Sequence, residues 1–530
     1  MEKKYSKRVG MLFASFIVVM LLLASRVLYI QIFCHDELET MATSQYEVLI
    51  EGMDTRGMIL DRNYMPLTGG TSQYYYFIKK ENGDNELMAL THQMGAKQIA
   101  NSSSQYYVFR TESFDENTND QLKDRYDAYV FKSSARYADD QMACHLIGYL
   151  NEDEKVGVSG LELLYQKQLK ADDSMLSLWA DAGGNIIKGE VPKVYSAEGY
   201  GAGNGLGKGV VTTIDRRIQY GLERSLEEGG KTGAGVVMDG DTGEVLAWAS
   251  SPTFNPNDIA SYLAAGNDCL INKVNQGAYP PGSVFKIVTA AAALEKGISP
   301  ETQIECKGKD TVEGIQLSCA SAPDGGHGNI DMYTAMAVSC NCYFAKIGEK
   351  IGFEEIIKQA ELMGFGKETM ENYPEETRGN LPNIESSGVW DTSNISIGQG
   401  EILATPIQIA QMTSIIARGG SYVEPSIIIG GNTTVHHVLS EERAKIIEEM
   451  MADVMEYGTG AKDWETDVWG KTGTAEAGSE KETQNYCWFT GYCRLDEKTY
   501  VITVMIEDGK SGTADALPVF KDMVELISKM

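Results

Sequence analysis

Hydrophobic and polar positions follow different periods along this chain, and the first clear pattern is a long apolar run near its start. Residues 9–25 form 17 positions without a charge, and residues 27–33 continue the run after Arg26. The long Arg26 side chain can reach toward the polar boundary, so the whole run is long enough to cross a bilayer as one helix. The pattern therefore predicts a transmembrane anchor over residues 9–33.

The short segment before the anchor sets its expected orientation. Residues 1–8, MEKKYSKR, carry four basic residues and one acidic residue. Basic flanks stay on the cytoplasmic side of a membrane, so we expect a cytoplasmic tail over 1–8 and an exported remainder. A cleaved signal peptide is the alternative. No small-residue cleavage pattern follows the run closely, and Arg26 interrupts it, which favours a retained anchor.

A glycine-rich stretch divides the rest of the chain. The sequence GYGAGNGLGKG at 199–209 holds six glycines in eleven residues and predicts a flexible connection. We therefore expect one domain over residues 34–205 and a second over residues 206–530. In the second domain, strand patterns come first, helical patterns fill roughly 331–455, and strand patterns return after 468. This order predicts an α/β fold of the α+β type, with a mostly antiparallel sheet flanked by helices.

Composition narrows the functional classes. The formal net charge is −29, which excludes the clustered basic surface that nucleic-acid binding requires. The nine cysteines include Cys306 and Cys319, which lie 13 positions apart in a glycine-rich connection and could form a disulfide. There is no CxxC pair and no histidine at zinc spacing, so neither a metal nor a cofactor is expected.

Three short motifs carry the candidate chemistry. They are Ser283-Val-Phe-Lys286, Ser339-Cys-Asn341 and Lys471-Thr-Gly-Thr474. Each is weak alone, but SxxK, SxN and KTG in this order form a much stronger signal. A second Lys-Thr-Gly at Lys231 lies in a glycine-rich turn before the other two motifs, so we assign Lys471 to the site. Lys286 lies in the first turn of a predicted helix, where a cation is unfavourable. Together with the other two motifs, this position indicates a chemical role for the lysine.

With these motifs, the chain resembles class B penicillin-binding proteins, the membrane-anchored D,D-transpeptidases of peptidoglycan synthesis. RGMILDRN at 56–63 and GVSGLE at 157–162 resemble motifs of the family's N-terminal pedestal. The transpeptidase-like stretches are TIDRRIQ, PPGSVFKIVTAAAALE, HGNIDMYTAMAVSCNCYFAKIG, SIGQGEILATPIQIAQ, GKTGTAE and WFTGY. The resemblance implies an elongated, β-rich pedestal (dimerisation-like) domain over 34–205 and a penicillin-binding transpeptidase domain over 206–530.

The resemblance also implies a role for each motif residue. Ser283 would be the nucleophile and Lys286 its base, with a pKa lowered by the helix start, by Lys471 and additionally by burial. Ser339 would relay a proton, Asn341 would bind the donor peptide and Lys286, and Lys471 would supply positive potential. The predicted substrate-binding residues are Thr472, Gly473 and Thr474.

The same resemblance implies the partners of the protein. They are peptidoglycan stem peptides, β-lactams, the membrane and a glycan-polymerising membrane protein. Roles in division, elongation or sporulation remain open. A β-lactam sensor is disfavoured because the chain has one apolar span and no HExxH motif. A serine β-lactamase is disfavoured by the anchor and the pedestal, and a non-catalytic wall-synthesis scaffold by the three intact motifs.

Overall fold

A computed structural model gives the fold of the chain. It describes residues 2–35, 47–50, 56–70, 72–99, 103–151, 156–170, 175–181, 185–187, 193–195, 209–266, 268–312, 315–370, 373–383, 392–431, 434–479 and 482–530. The chain forms two compact units. One consists of Met1–Arg56, Ser72–Ala135 and Ala171–Gly207, and the other of Gly57–Thr71, Arg136–Lys170 and Lys208–Met530.

The strands of the described part are numbered here in chain order. They are β1 (Glu47–Ile50), β2 (Ile59–Leu60), β3 (Ser72–Lys79), β4 (Lys97–Gln98), β5 (Tyr106–Thr111), β6 (Tyr129–Ser134), β7 (Met175–Trp179), β8 (Lys193–Tyr195), β9 (Val210–Val211), β10 (Gly233–Asp239), β11 (Val245–Ser251), β12 (Ile304–Cys306), β13 (Lys309–Val312), β14 (Ile315–Ser318), β15 (Gly328–Ile330), β16 (Ser421–Val423), β17 (Val435–His437), β18 (Val468–Ser479), β19 (Glu482–Leu495) and β20 (Lys498–Glu507).

The helices of the described part include one long N-terminal helix and many shorter ones. They are Glu2–Phe33, Asn85–Gln93, Glu116–Tyr126, Cys144–Ile147, Gly160–Leu164, Gln166–Leu169, Arg216–Glu227, Ile259–Ala265, Lys286–Glu295, Met332–Ala337, Asn341–Ile351, Phe353–Leu362, Thr392–Ile395, Pro406–Ala417, Glu441–Glu456 and Leu517–Ser528.

The first unit contains the apolar helix and a small sheet. Within that helix, Lys7–Phe33 is long and apolar enough to cross a membrane, as the run at 9–33 predicts. The sheet has the order β4-β5-β3-β6 and is antiparallel. Alternate residues of β3 point to opposite faces: Tyr75 and Phe77 join one apolar cluster, while Tyr76 and Ile78 join another. Both faces of β3 are therefore buried.

The second unit is built on a five-stranded antiparallel sheet in the order β11-β10-β20-β19-β18. Strands β10 and β11 are buried along their whole length, which explains their nearly continuous runs of apolar and small residues. Strand β18, which carries the KTG motif, is the outermost strand of this sheet. The motif therefore lies at an edge of the sheet.

Helices cover both faces of that sheet. A Cβ on Gly235 of β10 would lie 2.7 Å from Leu222, so the helix Arg216–Glu227 packs closely on this face. On the other face, Thr413 of the helix Pro406–Ala417 bonds Thr490 of β19 at 2.6 Å. Thr490 pairs with Thr503 of β20, and Thr503 pairs with Val236 of β10, so these three side chains lie on one face of the sheet. Successive strand residues point to opposite faces, so Gly235 faces the other side. The two helices therefore cover opposite faces of the sheet.

The predicted fold class is confirmed: an apolar N-terminal helix precedes a domain with an antiparallel sheet flanked by helices. The two compact units divide the chain differently from a single cut near residue 205. Residues 57–71 and 136–170, which include most of the two N-terminal motifs, pack with 208–530. The boundary at 205/206 between two functional domains stays a prediction.

Candidate active site

Ser283 lies on a single 3-10 turn, Gly282–Phe285, which runs directly into the α-helix that begins at Lys286. Gly282 has a φ of 55°, and a Cβ there would lie 2.7 Å from the carbonyl oxygen of Thr474. Glycine is needed here because strand β18 passes so close to the turn. The N-cap positions of the turn and of the helix are Pro281 and Phe285, not Ser283. A simple capping role therefore does not explain this serine.

Lys286 is fully buried, and its amine holds the SxN motif. Its Nζ donates to the Ser339 carbonyl oxygen at 2.8 Å and to Asn341 Oδ1 at 2.7 Å, and it lies 3.2 Å from Ser339 Oγ. Asn341 in turn donates through Nδ2 to the carbonyl oxygen of Ser318 at 3.1 Å. A buried amine requires such partners, because unpaired burial of a charged group is very costly. The first two motifs are thus joined through one side chain.

Ser339 adopts an unusual backbone conformation. Its φ is 55°, in the left-handed region that residues other than glycine rarely adopt. The turn is fixed on both sides, because the Ser339 N–H donates to Met336 O and the Cys340 N–H donates to Ala335 O. Strain of this kind typically costs about 1–3 kcal/mol and persists where surrounding contacts enforce it. The sequence did not indicate this strain.

Lys471 approaches the same hydroxyl from the sheet side. It is fully buried, and its Nζ donates to Ser339 Oγ at 2.9 Å and to the carbonyl oxygen of Thr472 at 2.8 Å. The Ser339 hydroxyl therefore lies between two buried amines, 3.2 Å from Lys286 and 2.9 Å from Lys471. A hydroxyl in this position can accept a proton on one side and donate one on the other.

Burial dominates the electrostatics of the two lysines. It lowers the pKa of Lys286 to about 8. The pKa of Lys471 lies well below its ordinary value, first because of burial and then because of the neighbouring charge of Lys286. Sequence reasoning gave the helix start and the second cation as the main causes for Lys286, with burial as an addition. In the structure burial is the largest cause.

The KTG strand is pressed against the turn that carries Ser283. A Cβ on Gly473 would lie 3.0 Å from Val284 Cγ1 and 3.1 Å from the Cβ of Trp488, so any side chain would push the strand away. Thr472 is only 5% exposed, and its Oγ1 lies 2.6 Å from Thr459 Oγ1. Thr474 is exposed beside the turn.

The eight predicted site residues therefore come from one region of the second unit. Ser339, Asn341 and Lys471 join Lys286 through hydrogen bonds, and strand β18 brings its threonines to the Ser283 turn. Lys231 is placed elsewhere: it follows the helix Arg216–Glu227, and its Nζ donates to the carbonyl oxygen of Ser225 at 3.3 Å. The catalytic roles of five of these residues and the substrate-binding roles of Thr472, Gly473 and Thr474 stay predictions.

A group of thiols next to the SxN motif was missed by the sequence analysis. The ligand atoms of Cys306, Cys319, His327 and Cys340 lie within 4.8 Å of one another, and Cys342 is buried next to them in sequence. Cys319 Sγ lies 3.9 Å from Cys340 Sγ, and His327 Nδ1 lies 3.5–3.6 Å from the sulfurs of Cys319 and Cys306. The cysteines are free, so the disulfide that Cys306 and Cys319 could form is not present.

Three sulfurs and one imidazole are the donor set that zinc prefers. These four residues could hold such an ion, and Cys340 stands between Ser339 and Asn341, so an ion there would fix the SxN turn. The expectation of no metal rested on local spacing. Here strands β12 and β15 pair and bring distant segments together, and no short motif could indicate that arrangement.

Comparison with known proteins agrees with this fold. The family model for the penicillin binding protein transpeptidase domain matches residues 233–525. The match covers more than half of the chain, so the chain belongs to this family.

Two named relatives are similar to this chain over more than nine-tenths of its length. The chain is 27% identical to the peptidoglycan D,D-transpeptidase MrdA of Acinetobacter baumannii, over 97% of this chain and 87% of that protein. It is also 27% identical to the stage V sporulation protein D of Bacillus subtilis, over 93% and 80% of the two chains.

Solved structures share the fold. Penicillin-binding protein 2 in complex with MreC from Helicobacter pylori matches with a TM-score of 0.70 at 23% identity, over 91% of this chain and 98% of that one. A chain of a peptidoglycan synthase complex, described for the coordination of polymerization and crosslinking, matches with a TM-score of 0.72 at 24% identity. That match covers 99% of this chain and 98% of the other.

Proposed function

We propose that this chain is a membrane-anchored peptidoglycan D,D-transpeptidase that works through an acyl-enzyme on Ser283. The observation that carries the proposal is the Ser339 hydroxyl, held 3.2 Å and 2.9 Å from the buried amines of Lys286 and Lys471. Such a chain of groups moves protons without water. A structural cluster would have no need to bury two amines side by side, because each burial is costly.

In the first step, Lys286 acts as the general base. Its lowered pKa leaves a useful neutral fraction near pH 8, and the neutral amine accepts the proton of the Ser283 hydroxyl. Ser283 Oγ then attacks the carbonyl carbon of the penultimate D-Ala of a stem peptide. The resulting oxyanion is stabilised by the backbone N–H groups of Ser283 and Thr474, which we assign from the family resemblance.

Collapse of this intermediate breaks the peptide bond to the terminal D-Ala. The proton on Lys286 passes through the Ser339 hydroxyl to the leaving nitrogen, so D-Ala departs as a neutral amine and an ester remains on Ser283. In the second half, an amine of a neighbouring stem peptide attacks the ester and gives its proton back along the same route. Ser283 leaves as a hydroxyl and a new amide crosslink is formed.

The residues of strand β18 bind the donor substrate. In its protonated form Lys471 supplies positive potential, and the hydroxyls of Thr472 and Thr474 donate to the terminal carboxylate. Asn341 holds the donor peptide and keeps Lys286 in place. Gly473 keeps the strand against the Ser283 turn, because a side chain there would push the neighbouring atoms apart. β-Lactams fit the same site, since their ring amide and carboxylate resemble the D-Ala-D-Ala end.

The apolar helix anchors the protein in the membrane. We infer that residues 1–8 are cytoplasmic and that the catalytic unit is outside, because the tail is basic. The structural relatives include proteins solved with MreC and within a peptidoglycan synthase complex. By this similarity, we propose a glycan-polymerising membrane protein as partner.

Labelling of the full-length chain with a fluorescent penicillin tests the mechanism. We expect long-lived label on Ser283, absent in Ser283→Ala. Rapid loss of the label would instead indicate a serine β-lactamase. No label on folded protein would contradict the proposal and favour a non-catalytic scaffold. Label without any crosslinking activity would favour a β-lactam sensor.

A further inference from the structure

Thr459 is an unassigned residue behind the substrate strand. Its Oγ1 lies 2.6 Å from Thr472 Oγ1. Its N–H donates to the Ala337 carbonyl oxygen at 3.0 Å, and its own carbonyl oxygen accepts from Thr513 Oγ1 at 2.9 Å. Thr459 thus connects the segment that leads to Ser339 with strand β18 and with the turn Gly512–Ala516.

The position of Thr459 is tightly set. A Cβ on the preceding Gly458 would lie 2.3 Å from the Ala337 carbonyl oxygen, so the chain passes Ala337 at a distance that only glycine allows. With both backbone groups of Thr459 bonded, its hydroxyl cannot easily move away from Thr472. A pair of hydroxyls at 2.6 Å shares one hydrogen bond, and the direction of that bond decides which hydroxyl keeps a free proton.

Thr474, two positions further along strand β18, also has a hydrogen bond to its hydroxyl, and there the donor is known. The N–H of Gly512 donates to Thr474 Oγ1 at 3.2 Å. An amide can only donate, so the Thr474 oxygen is occupied from behind and its proton stays available for a ligand. Thr472 needs an equivalent donor behind it if its proton is also to reach the ligand. Thr459 is the hydroxyl that lies there.

We propose that Thr459 is a positioning residue for the carboxylate-binding site: it donates a hydrogen bond to Thr472 Oγ1 so that Thr472 and Thr474 both present their protons to the substrate carboxylate. The inference rests on the proposed transpeptidase function. A hydroxyl that accepts one bond while donating to an anion forms a polarised chain, which strengthens the contact with the charge.

The test compares two ligands on the full-length chain: a fluorescent penicillin and its methyl ester, which lacks the carboxylate charge. In Thr459→Val we expect the second-order rate of Ser283 acylation by the free acid to fall about tenfold, the upper end of the loss typical of one hydrogen bond. Acylation by the ester should change less than twofold. Thr459→Ser, which keeps the hydroxyl, should restore the wild-type preference.

A matched control separates positioning from folding. Thr503→Val removes a similarly short threonine pair, at 2.7 Å between Thr503 and Thr490, in the sheet that contains Thr472, and it should leave the preference for the free acid unchanged. If Thr459→Val does not fold, Thr513→Val carries the test, because it removes the hydrogen bond to the Thr459 carbonyl oxygen and loosens the position of Thr459, and the same selective loss is expected. Equal losses with both ligands, or no loss, would overturn the proposal. Absence of label on the wild-type chain would instead contradict the transpeptidase function itself.

Discussion

The side-chain amine of Lys286 bonds both the backbone and the side chain of Ser339. Its Nζ lies 2.8 Å from the Ser339 carbonyl oxygen and 3.2 Å from the Ser339 hydroxyl, and Ser339 has a φ of 55°. The buried lysine therefore has a positional role beside its proposed role as a base. It fixes a turn that the backbone would not adopt by itself.

The first prediction concerns the strain at Ser339. Ser339→Gly and Ser339→Ala both lose the hydroxyl, so both should lose at least 100-fold in acylation rate, as typical general acid–base groups do. The left-handed conformation costs roughly 1–2 kcal/mol for a residue with a Cβ, while glycine costs about 0.5–1 kcal/mol in entropy. The free energy of unfolding of the glycine variant should thus exceed that of the alanine variant by about 1 kcal/mol. Denaturant titration measures this difference, and a less stable glycine variant would contradict the strain.

The second prediction concerns the pH dependence of acylation. Burial lowers the pKa of Lys286 to about 8, and only its neutral form can accept the Ser283 proton. The acylation rate should therefore rise with pH through about 8 and then level off. Stopped-flow measurements with a β-lactam from pH 6 to 10 give the profile. A rate that is flat across this range would argue against Lys286 as the base.

The third prediction concerns Gly473. A methyl group there would meet Val284 at 3.0 Å and Trp488 at 3.1 Å. Gly473→Ala should move strand β18 away from the Ser283 turn by a few tenths of an ångström. The acylation rate should fall at least about tenfold, since small displacements of reacting groups slow catalysis strongly. Adding Val284→Ala removes the nearest contact and should recover part of the rate. Full activity in Gly473→Ala would contradict the packing described here.

The fourth prediction concerns Glu223, outside the site. Burial raises the pKa of its carboxyl to about 7, and the carboxyl accepts from the Ala143 N–H at 2.7 Å and from Gln219 Nε2 at 2.9 Å. Because folding raises this pKa, the contribution of the Glu223 carboxyl to stability is largest below its pKa in the unfolded chain. That contribution is lost as the pH rises through about 7.

Glu223→Gln keeps an acceptor oxygen but cannot ionise. Its free energy of unfolding should exceed that of the wild type by about 3 kcal/mol at pH 8 and should match it at pH 4.5 or below. Unfolding curves at the two pH values measure this. A gain that does not depend on pH would point to packing and not to the charge.

The fifth prediction concerns the thiols beside Ser339. Three sulfurs and the His327 imidazole within 4.8 Å should bind about one zinc ion per chain. Elemental analysis of protein purified under reducing conditions measures the content. Cys319→Ala should lose the zinc, while Cys487→Ala, at another buried free cysteine, should keep it. Equal zinc content in all three proteins would contradict a metal site.

The sequence indicated the fold and the site through different kinds of signal. Local periodicity was enough for the apolar helix and for the strand–helix–strand order of the second unit. Motif order was enough to choose Lys471 over Lys231. Periodicity and motif order can both be read directly along one sequence, so no tertiary contact is needed to recognise them.

The remaining features depend on tertiary contacts. The left-handed Ser339 is enforced by bonds to Met336 and to Lys286. The thiol group needs strand pairing to assemble, and Thr459 meets Thr472 only because Gly458 lets the chain pass Ala337. None of these contacts has a fixed spacing in the sequence.

The most direct test of the central claim is a crosslinking assay with the full-length protein. Uncrosslinked peptidoglycan strands are supplied, and crosslinked muropeptides and free D-Ala are both quantified by mass spectrometry. We predict one D-Ala released per crosslink formed, and neither product with Ser283→Ala. Crosslinks that form equally well in Ser283→Ala, or D-Ala release that never leads to a crosslink, would contradict a Ser283-dependent transpeptidase.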